Sequence, residues 1–249
     1  MDKKNEAPSG HTHIISQSIE EIVKIFGALG FSVAEGPEIE SEHYNFDVLN
    51  IPKDHPARDL WDTFWLKPKG SGMLLRTHTS PVQARFMEVH KPPLRIIAPG
   101  KVFRHEAADA THEAQFHQVE GLVVDTDITL GHLTETIQRF FKEYLGGNTA
   151  IRLRPSYFPF VEPGVEIDVS CFKCGGNSAG CFLCKETGWI EVMGAGMVHP
   201  SVLNRLGIHP RRWRGFAFGA GIDRLVMLRH GVDHIRFFYA GDLRLTTQF

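Results

Sequence analysis

A short polar segment between two apolar stretches carries side chains that could bind a nucleotide. It reads KVFRHE over residues 101–106, and FHQVE at 116–120 leads into an apolar run, which predicts strand, loop and returning strand. Arg104 and Glu106 lie two residues apart and would point to the same face of a strand. The guanidinium can hold a phosphate, and the carboxylate can accept from an exocyclic amine. Taken alone, the same residues also fit an ion pair on an antiparallel hairpin.

A glycine-rich segment further along the chain offers a second phosphate-binding pattern. The sequence FGAGIDR at 218–224 places two glycines where a predicted strand passes into a helix. Gly219 and Gly221 would let a ligand approach the backbone, and a helix N-terminus favours anions. Arg224 falls in the first helical turn, where an anionic ligand would offset its unfavourable interaction with the helix dipole. A glycine-rich strand end with a surface arginine is the alternative.

The four cysteines of the chain occur together, spaced C-x2-C-x6-C-x2-C, and are Cys171, Cys174, Cys181 and Cys184. Two CxxC pairs joined by a short loop with glycines can present four thiolates tetrahedrally, which suits Zn²⁺. Four cysteine ligands leave no open position, so such a metal would stabilise the fold and take no part in catalysis. Reduced thiols and an iron–sulfur cluster remain alternatives, and paired disulfides fit a cytosolic chain less well.

The apolar spacing indicates which elements connect these segments. Helices are predicted at 14–29, 80–90, 129–145 and 201–206, and a last one follows the glycine-rich segment and ends at Gly231. Strands are predicted at 73–77, on both sides of the hairpin loop, and at 151–154, 165–170, 189–193 and 215–221. Because strands and helices do not alternate regularly, we expect an α+β fold, an antiparallel sheet flanked by helices. One domain would span 14–249 after a disordered or tag-like lead at 1–13, with the cysteine segment as a hairpin insert at about 170–186.

Length and charge narrow the possible functions. The 249 residues suffice for one large domain, and a formal net charge of −2 gives no overall attraction to nucleic acid. RNA contact would come from a partner or from a local patch such as Arg211, Arg212 and Arg214 around Trp213, which a solvated basic turn explains equally well. No stretch approaches the roughly 20 apolar residues of a membrane helix, and no signal peptide is present, so we expect a cytoplasmic protein without membrane contact.

Three of these features resemble the signature motifs of class II aminoacyl-tRNA synthetases. They are a helix and strand that end at Gly36-Pro37, the Phe-Arg-x-Glu hairpin, and the Gly-x-Gly-x-x-Arg strand–helix junction. Further segments resemble the catalytic α-subunit family of phenylalanyl-tRNA synthetase, namely RTHTSP at 76–81, FHQVEG at 116–121, RPSYFPFVEP at 154–163, GAGMVHP at 194–200 and DLR at 242–244. The resemblance runs from about residue 11 to residue 249. It implies the class II synthetase catalytic fold.

The resemblance also implies a reaction and a role for each matching residue. The family activates phenylalanine with ATP and Mg²⁺ and then esterifies the terminal adenosine of its tRNA. By motif match, the catalytic arginines would be Arg104, at the α-phosphate, and Arg224, at the far phosphates, while Glu106 would read the adenine amino group. The rest of the ATP site would be His112, Phe116, Gly219 and Gly221. The phenylalanine site would comprise Trp61, His78, Ser80, Gln118, Glu120, Phe158, Phe160, Val161 and Ala217.

Elementary chemistry supports these implied roles in the phenylalanine site. Glu120 could bind the substrate ammonium group. Phe158 and Phe160 match the pair that stacks edge-on against the substrate ring, and aromatic walls suit a phenyl group. The small side chain of Ala217 would leave room for that ring. Because an apolar pocket cannot strongly reject an added hydroxyl, tyrosine would be partly misactivated, and the family's editing site lies in its β subunit.

Partners and a further metal ion follow from the same resemblance. Glu162 matches a Mg²⁺ ligand that the family shares with its β subunit. We expect an α2β2 assembly, or a homodimer where the β subunit is absent, formed through the first-motif region. The family's α subunits grip tRNA(Phe) with a long N-terminal helical hairpin, for which the short lead here has no counterpart, so the resemblance supports adenylation more directly than tRNA charging.

Two other functions are compatible with a class II fold. The chain could be an inactive or repurposed paralogue that serves as a binding or regulatory subunit. It could also be a ligase that acts on another acceptor. A paralogue freed from catalysis would have no reason to keep Arg104, Glu106 and Arg224 together, and the Phe158/Phe160 pair with Ala217 favours an aromatic amino acid.

Overall fold

The computed structural model describes residues 10–53, 63–68, 70–105, 109–176, 179–181 and 183–249. Within them the strands are β1 (Ser32–Val33), β2 (Ile39–Ser41), β3 (Met73–Leu75), β4 (Leu94–Phe103), β5 (Gln115–Asp125), β6 (Ile151–Phe158), β7 (Val161–Ser170), β8 (Trp189–Val198) and β9 (Arg214–Gly221). Seven of them form one sheet in the order β1-β4-β5-β9-β8-β7-β6, and β2 pairs with β3. In the large sheet β1 runs parallel to β4, and the other neighbours are antiparallel.

The longer helices begin and end close to the predicted positions. The α-helices of the described ranges are α1 (Ile14–Ala28), α2 (Ser80–Val89), α3 (Leu130–Leu145), α4 (Pro200–Arg205), α5 (Ile222–His230) and α6 (Leu243–Thr246). Thr129 and His132 cap the first turn of α3 reciprocally. Gly231 follows α5 in the left-handed conformation, which a residue without a side chain adopts readily. Within the described ranges, none of the helices combines the length and hydropathy of a membrane span.

The sheet separates two apolar layers because alternate strand residues point to opposite faces. On one face Ile97, Val123 and Phe216 pack in a core that also contains Phe26 of α1 and Phe140 of α3. On the other face the core consists of Ile96, Leu122, Val124, Val82 of α2, Val202 of α4 and Phe46. This second face also carries Glu120, which is two residues from Leu122 along β5. The candidate active site is therefore built on the side covered by α2 and α4.

Two strands extend further than their apolar patterns indicate. The sequence predicts strands at 151–154 and 165–170, whereas β6 continues to Phe158 and β7 begins at Val161. The pairing of β7 with β8 shifts register between Val161 and Gly164, which accommodates Pro163, a residue that cannot donate a ladder hydrogen bond. Phe158 and Phe160 consequently lie at the turn that joins β6 and β7.

Gly121 makes a close contact between β5 and β9. A Cβ here would lie 2.1 Å from Cζ of Phe218, the residue paired with Gly121 across the two strands. Since Phe218 is itself buried, we expect Gly121→Ala to lower the free energy of unfolding by about 3 kcal/mol, as measured by guanidinium denaturation. Gly147→Ala is the matched control, because nothing lies within 4 Å of its added Cβ. Equal stability of the two variants would contradict this account of the contact.

Candidate active site

Glu120 is a buried carboxylate at the centre of a polar cluster. It accepts hydrogen bonds from the backbone N–H of Thr79 at 3.1 Å, from Ser80 Oγ at 2.5 Å and from Gln83 Nε2 at 3.0 Å. Burial raises the pKa of Glu120 to about 7, although the hydrogen bonds from Ser80 and Thr79 oppose the rise. Near neutral pH this group can change its charge, and a bound cation would favour the ionised form.

The N-terminus of α2 brings the donors to Glu120. Ser80 and Gln83 are three residues apart and lie on the same side of the helix, with Pro81 in its first turn. The preceding segment is fixed by Asn45, whose side chain bonds the hydroxyl and the N–H of Thr77 at 3.0 and 3.3 Å. His78 lies between these anchors, and burial lowers its pKa to about 3, so its imidazole is neutral at physiological pH.

Arg104 follows β4 directly and faces the same cavity as Glu120. Its Nε donates to the carbonyl oxygen of Thr77 at 3.0 Å. Its guanidinium carbon lies 5.0 Å from the ring centre of Phe116, a cation–π distance. These two contacts hold the guanidinium at the cavity wall, where a planar, permanently charged group suits an anionic ligand.

The other half of the cavity is apolar. Phe158 and Phe160 lie at the β6–β7 turn, with ring centres 5.9 Å apart and planes inclined by 23°. Leu122 and Ala217 are paired across β5 and β9 and share the lining with Val161, Val198 and Val202. The cavity measures about 210 Å³. Because a protein cavity of about 150 Å³ binds benzene, this space can hold a phenyl ring.

Gln118 connects the polar and apolar parts of the cavity. It lies two residues before Glu120 on β5 and so points to the same face. Its buried Oε1 has no hydrogen-bond partner in the described part of the chain, which leaves an acceptor for a donor on a ligand. Space for these side chains depends on Gly219, where a Cβ would lie 2.9 Å from Cγ of Glu120.

Arg224 supplies a second cation on a separate element. It lies in the first turn of α5, outside the lining of the cavity. Gly221, the residue before the helix, is opposite Gln118 in the β5–β9 pair, so α5 begins beside the strand that carries Glu120. Burial lowers the pKa of Arg224, but an arginine remains charged at physiological pH.

The four cysteines form a compact cluster between β7 and β8. Their Sγ atoms all lie within 4.8 Å of one another, and the Cys171–Cys181 and Cys174–Cys184 separations are both 3.8 Å. The backbone N–H of Cys184 lowers the pKa of Cys181 to about 7. Burial instead raises the pKa of Cys174 to about 12, so the shifts within the cluster oppose one another. The close grouping of the four sulfur atoms is what suits the cluster to hold a metal ion.

Comparison with known proteins identifies the family. The family model of the tRNA synthetases class II core domain (F) matches residues 2–249. Identity to the phenylalanine–tRNA ligase alpha subunit of Enterococcus faecalis is 59% over 247 residues, which cover 98% of this chain and 70% of that protein. The like-named subunit of Ligilactobacillus salivarius is 57% identical over 97% of this chain and 69% of its own length.

The chain belongs to the phenylalanine–tRNA ligase alpha-subunit family. A solved structure of pyrrolysyl-tRNA synthetase from Desulfitobacterium hafniense shares the fold, with a TM-score of 0.66 at 18% identity over 90% of this chain and 72% of that chain. The prediction of a class II synthetase fold with a mainly antiparallel sheet is confirmed, and β1 adds one parallel pair.

Most of the residues that the family resemblance assigned to phenylalanine binding line the cavity that contains Glu120. They are His78, Ser80, Gln118, Glu120, Phe158, Phe160, Val161 and Ala217, joined by Arg104 and Gly219 of the expected ATP site. His112 instead lies exposed in the β4–β5 loop, with Nδ1 2.8 Å from Oδ2 of Asp109. Glu162 is exposed on β7, with Oε2 3.2 Å from Nε2 of His199. Trp61 and Glu106 lie outside the described residues.

Some lining residues were not singled out from the sequence. Gln83 is the most informative of them, because it donates to Glu120. Its position three residues after Ser80 on a predicted helix was the available signal. Leu122 and Val202 gave no comparable signal, since each reads as ordinary core in the sequence and only the folded chain directs them into the cavity.

Proposed function

We propose that this chain is the catalytic alpha-type subunit of a phenylalanine–tRNA ligase. It activates phenylalanine with ATP to phenylalanyl-adenylate and then transfers the phenylalanyl group to the 3′ end of tRNA(Phe). The observation that carries the proposal is one cavity in which an aromatic pocket lies beside a buried carboxylate and an arginine. An aromatic amino acid that reacts with a phosphate compound matches all three features.

The amino acid lies with its ring in the apolar half of the cavity. Phe158 and Phe160 contact the ring, for which offset and edge-on arrangements are favourable. The ammonium group pairs with Glu120 and donates to Oε1 of Gln118, which satisfies an otherwise unpartnered buried acceptor. His78 is neutral and therefore does not repel the ammonium group.

The reaction is an in-line displacement at the α-phosphorus of ATP. A carboxylate oxygen of phenylalanine attacks, an oxygen–phosphorus bond to the amino acid forms, and pyrophosphate leaves with the electrons of the broken bond. Arg104 stabilises the charge that develops on the α-phosphate, while Arg224 binds the departing phosphates. Since both reactants are held in one cavity, positioning and charge stabilisation suffice without a protein nucleophile.

Mg²⁺ is the metal ion that the family implies for this reaction. Among the described residues, no group of three acidic, histidine or cysteine side chains around Glu162 could hold a metal by itself. Mg²⁺ is commonly bound by one or two carboxylates together with substrate phosphates, and the exposed Glu162 fits such a single protein ligand. When bound, the ion supplies charge neutralisation on the phosphates.

The cysteine cluster binds a structural Zn²⁺ in this proposal. Tetrahedral thiolates about 2.3 Å from a central zinc lie about 3.8 Å from one another. The Cys171–Cys181 and Cys174–Cys184 separations of 3.8 Å fit that geometry. The four ligands fill the coordination sphere, so the ion links the ends of β7 and β8 and takes no part in adenylation.

The functional assembly contains a β subunit and tRNA(Phe). The first-motif region and the start of β2 just after Gly36-Pro37 expose apolar side chains at Val33 and Ile39, which are 44% and 49% accessible. We assign the α2β2 contact to this region, or a homodimer contact if the β subunit is absent. Because tRNA is charged in the cytoplasm, we assign the protein to that compartment.

The ionisation of Glu120 provides a test of this assignment. The carboxylate, and not the neutral acid, pairs with ammonium, so the Kd for phenylalanine should rise about tenfold per pH unit below about 7 and level off above it. Isothermal titration calorimetry with L-phenylalanine between pH 5 and 8 measures this dependence. The neutral His78 does not titrate in that range.

Glu120→Gln is the matched control for the pH test. At pH 8, where Glu120 of the wild type is ionised, the variant should bind phenylalanine at least about tenfold more weakly, and its affinity should not depend on pH between 5 and 8. Wild-type affinity that does not change between pH 5 and 8, or a Gln variant that binds as tightly as wild type at pH 8, would refute the role of Glu120 and weaken the proposed function.

Ala217 sets the depth of the ring pocket. Removing its methyl group in Ala217→Gly should admit a para-substituted phenylalanine such as 4-chlorophenylalanine. We expect kcat/KM for that analogue, relative to phenylalanine, to rise about tenfold or more in ATP–pyrophosphate exchange. Ala220→Gly is the control, since Ala220 is buried on the opposite face of β9. Unchanged specificity of Ala217→Gly would show that Ala217 does not limit the pocket.

A further inference from the structure

The segment after α5 returns to the candidate active site. A 3-10 helix covers Ile235–Phe238 and is followed by Tyr239. Ile235 and Phe238 are buried in the core. The carbonyl oxygen of Phe238 lies 3.1 Å from Nε2 of His13, which precedes α1. Residues 235–239, called here the C-terminal clasp, are therefore anchored to the body of the domain.

The C-terminal clasp holds the loop between β4 and β5. The backbone N–H of Ile235 donates to the carbonyl oxygen of Ala110 at 2.9 Å. Nε of Arg236 lies 3.6 Å from Oε2 of Glu113, an ion pair whose side chains are 55% and 25% exposed. Both contacts are made to the β4–β5 loop, which also carries His112. The C-terminal clasp, which is not part of the hairpin, therefore restrains this loop.

The C-terminal clasp also holds the start of α5. The hydroxyl of Tyr239 donates to Oδ1 of Asp223, and Oδ2 of Asp223 accepts from the backbone N–H of His117 at 2.6 Å. Nδ1 of His117 lies 3.0 Å from the Tyr239 oxygen. Because that hydroxyl gives its one proton to Asp223, its oxygen accepts from Nδ1–H of His117. Asp223 is 1% exposed and directly precedes Arg224.

We propose that the C-terminal clasp positions the ATP half of the active site, with Tyr239 and Arg236 as positioning residues. The inference rests on the proposed function, which assigns Arg224 and the β4–β5 hairpin to ATP. The clasp bonds to both elements and so fixes one relative to the other. In the described part of the chain, no clasp residue lines the phenylalanine cavity. Loosening the clasp should weaken ATP binding and spare phenylalanine binding.

Steady-state ATP–pyrophosphate exchange by the complete ligase tests the clasp. In Tyr239→Phe a buried carboxylate loses an O–H donor, so KM for ATP should rise about tenfold while KM for phenylalanine stays within about twofold. Arg236→Ala removes a partly exposed ion pair, a kind of contact that contributes little to stability, and a rise of about threefold in KM for ATP is expected. Arg139→Ala, which breaks an exposed ion pair with Glu135 on α3, is the control and should change neither constant.

A double-mutant cycle identifies the contact that carries the effect. Glu113→Ala should raise KM for ATP as much as Arg236→Ala does, and the double variant should be no worse than either single one. The proposal is overturned if Tyr239→Phe and Arg236→Ala both keep KM for ATP within twofold of the wild-type value. An equal rise in the two Michaelis constants would also overturn it.

Amide hydrogen–deuterium exchange separates failure of the clasp from failure of the proposed function, because it requires no turnover. Amides of residues 109–114 should exchange faster in Arg236→Ala and Tyr239→Phe, with α3 unchanged. Unchanged amide exchange in this loop would overturn the clasp. Absence of phenylalanine-dependent turnover in the wild-type ligase would instead overturn the proposed function.

Discussion

Replacing Arg104 with alanine is expected to lower kcat for phenylalanine-dependent ATP–pyrophosphate exchange by about 100- to 1000-fold. Removal of one preorganised donor from a site of developing charge has an effect of this size. Arg104 lines the cavity of Glu120, and Nε is already bonded to the carbonyl oxygen of Thr77. The fold therefore places the guanidinium at the cavity before ATP binds, which makes its contribution to the transition state large.

Two further variants show whether the effect is specific to Arg104. Arg104→Lys keeps a positive charge but loses the planar fork, so we expect it to recover only part of the lost rate. Arg212→Ala removes an exposed arginine outside the cavity and should retain the wild-type rate. If Arg104→Ala folds normally and keeps kcat within tenfold of wild type, Arg104 does not stabilise the transition state.

Removal of the proposed zinc is expected to have the largest effect on stability. A structural zinc can contribute on the order of 10 kcal/mol to the folding of a small domain, although here the sheet provides part of the stability. Cys171, Cys181 and Cys184 are buried, so metal loss would leave thiols in the core. We expect a loss of at least about 4 kcal/mol, which corresponds to a fall of roughly 10 °C in Tm for a domain of this size.

Elemental analysis and calorimetry test the zinc prediction together. The purified protein should contain one zinc per chain, and Cys181→Ser should lack it and melt at a lower temperature. Lys173→Ala changes an exposed residue between two of the cysteines and should keep both zinc and Tm. If the wild-type protein contains no metal and its Tm does not change when zinc is added, the zinc site is refuted. If it contains iron, the cysteines hold an iron–sulfur cluster instead.

The hairpin and its neighbours could be predicted because their residues carry local signals. The family resemblance assigned Gln118 and Glu120 on the second strand of the hairpin to one binding site, and the cavity contains both. The glycine-rich junction before Arg224 was predicted to join a strand at 215–221 to a helix that ends at Gly231. In the structure β9 and α5 have nearly these boundaries. The cysteine spacing likewise indicated a cluster, and the four sulfur atoms lie together.

Other features depend on residues that are far apart in the chain. Tyr239 and Asp223 meet His117 through tertiary packing, and nothing in the local sequence connects them. The pKa of Glu120 rises because the whole cluster is buried, which no motif reports. β7 extends beyond the predicted 165–170 because a shift in register accommodates Pro163 within the strand.

Amino-acid-dependent ATP–pyrophosphate exchange tests the central claim most directly. The assay measures adenylate formation by this chain, with and without the proposed β subunit, for each of the twenty amino acids. We predict exchange that depends on phenylalanine, a weaker signal with tyrosine because the apolar pocket rejects a hydroxyl poorly, and none with the other eighteen. Absence of phenylalanine-dependent exchange by the complex, or faster exchange with a non-aromatic amino acid, would contradict the proposed function.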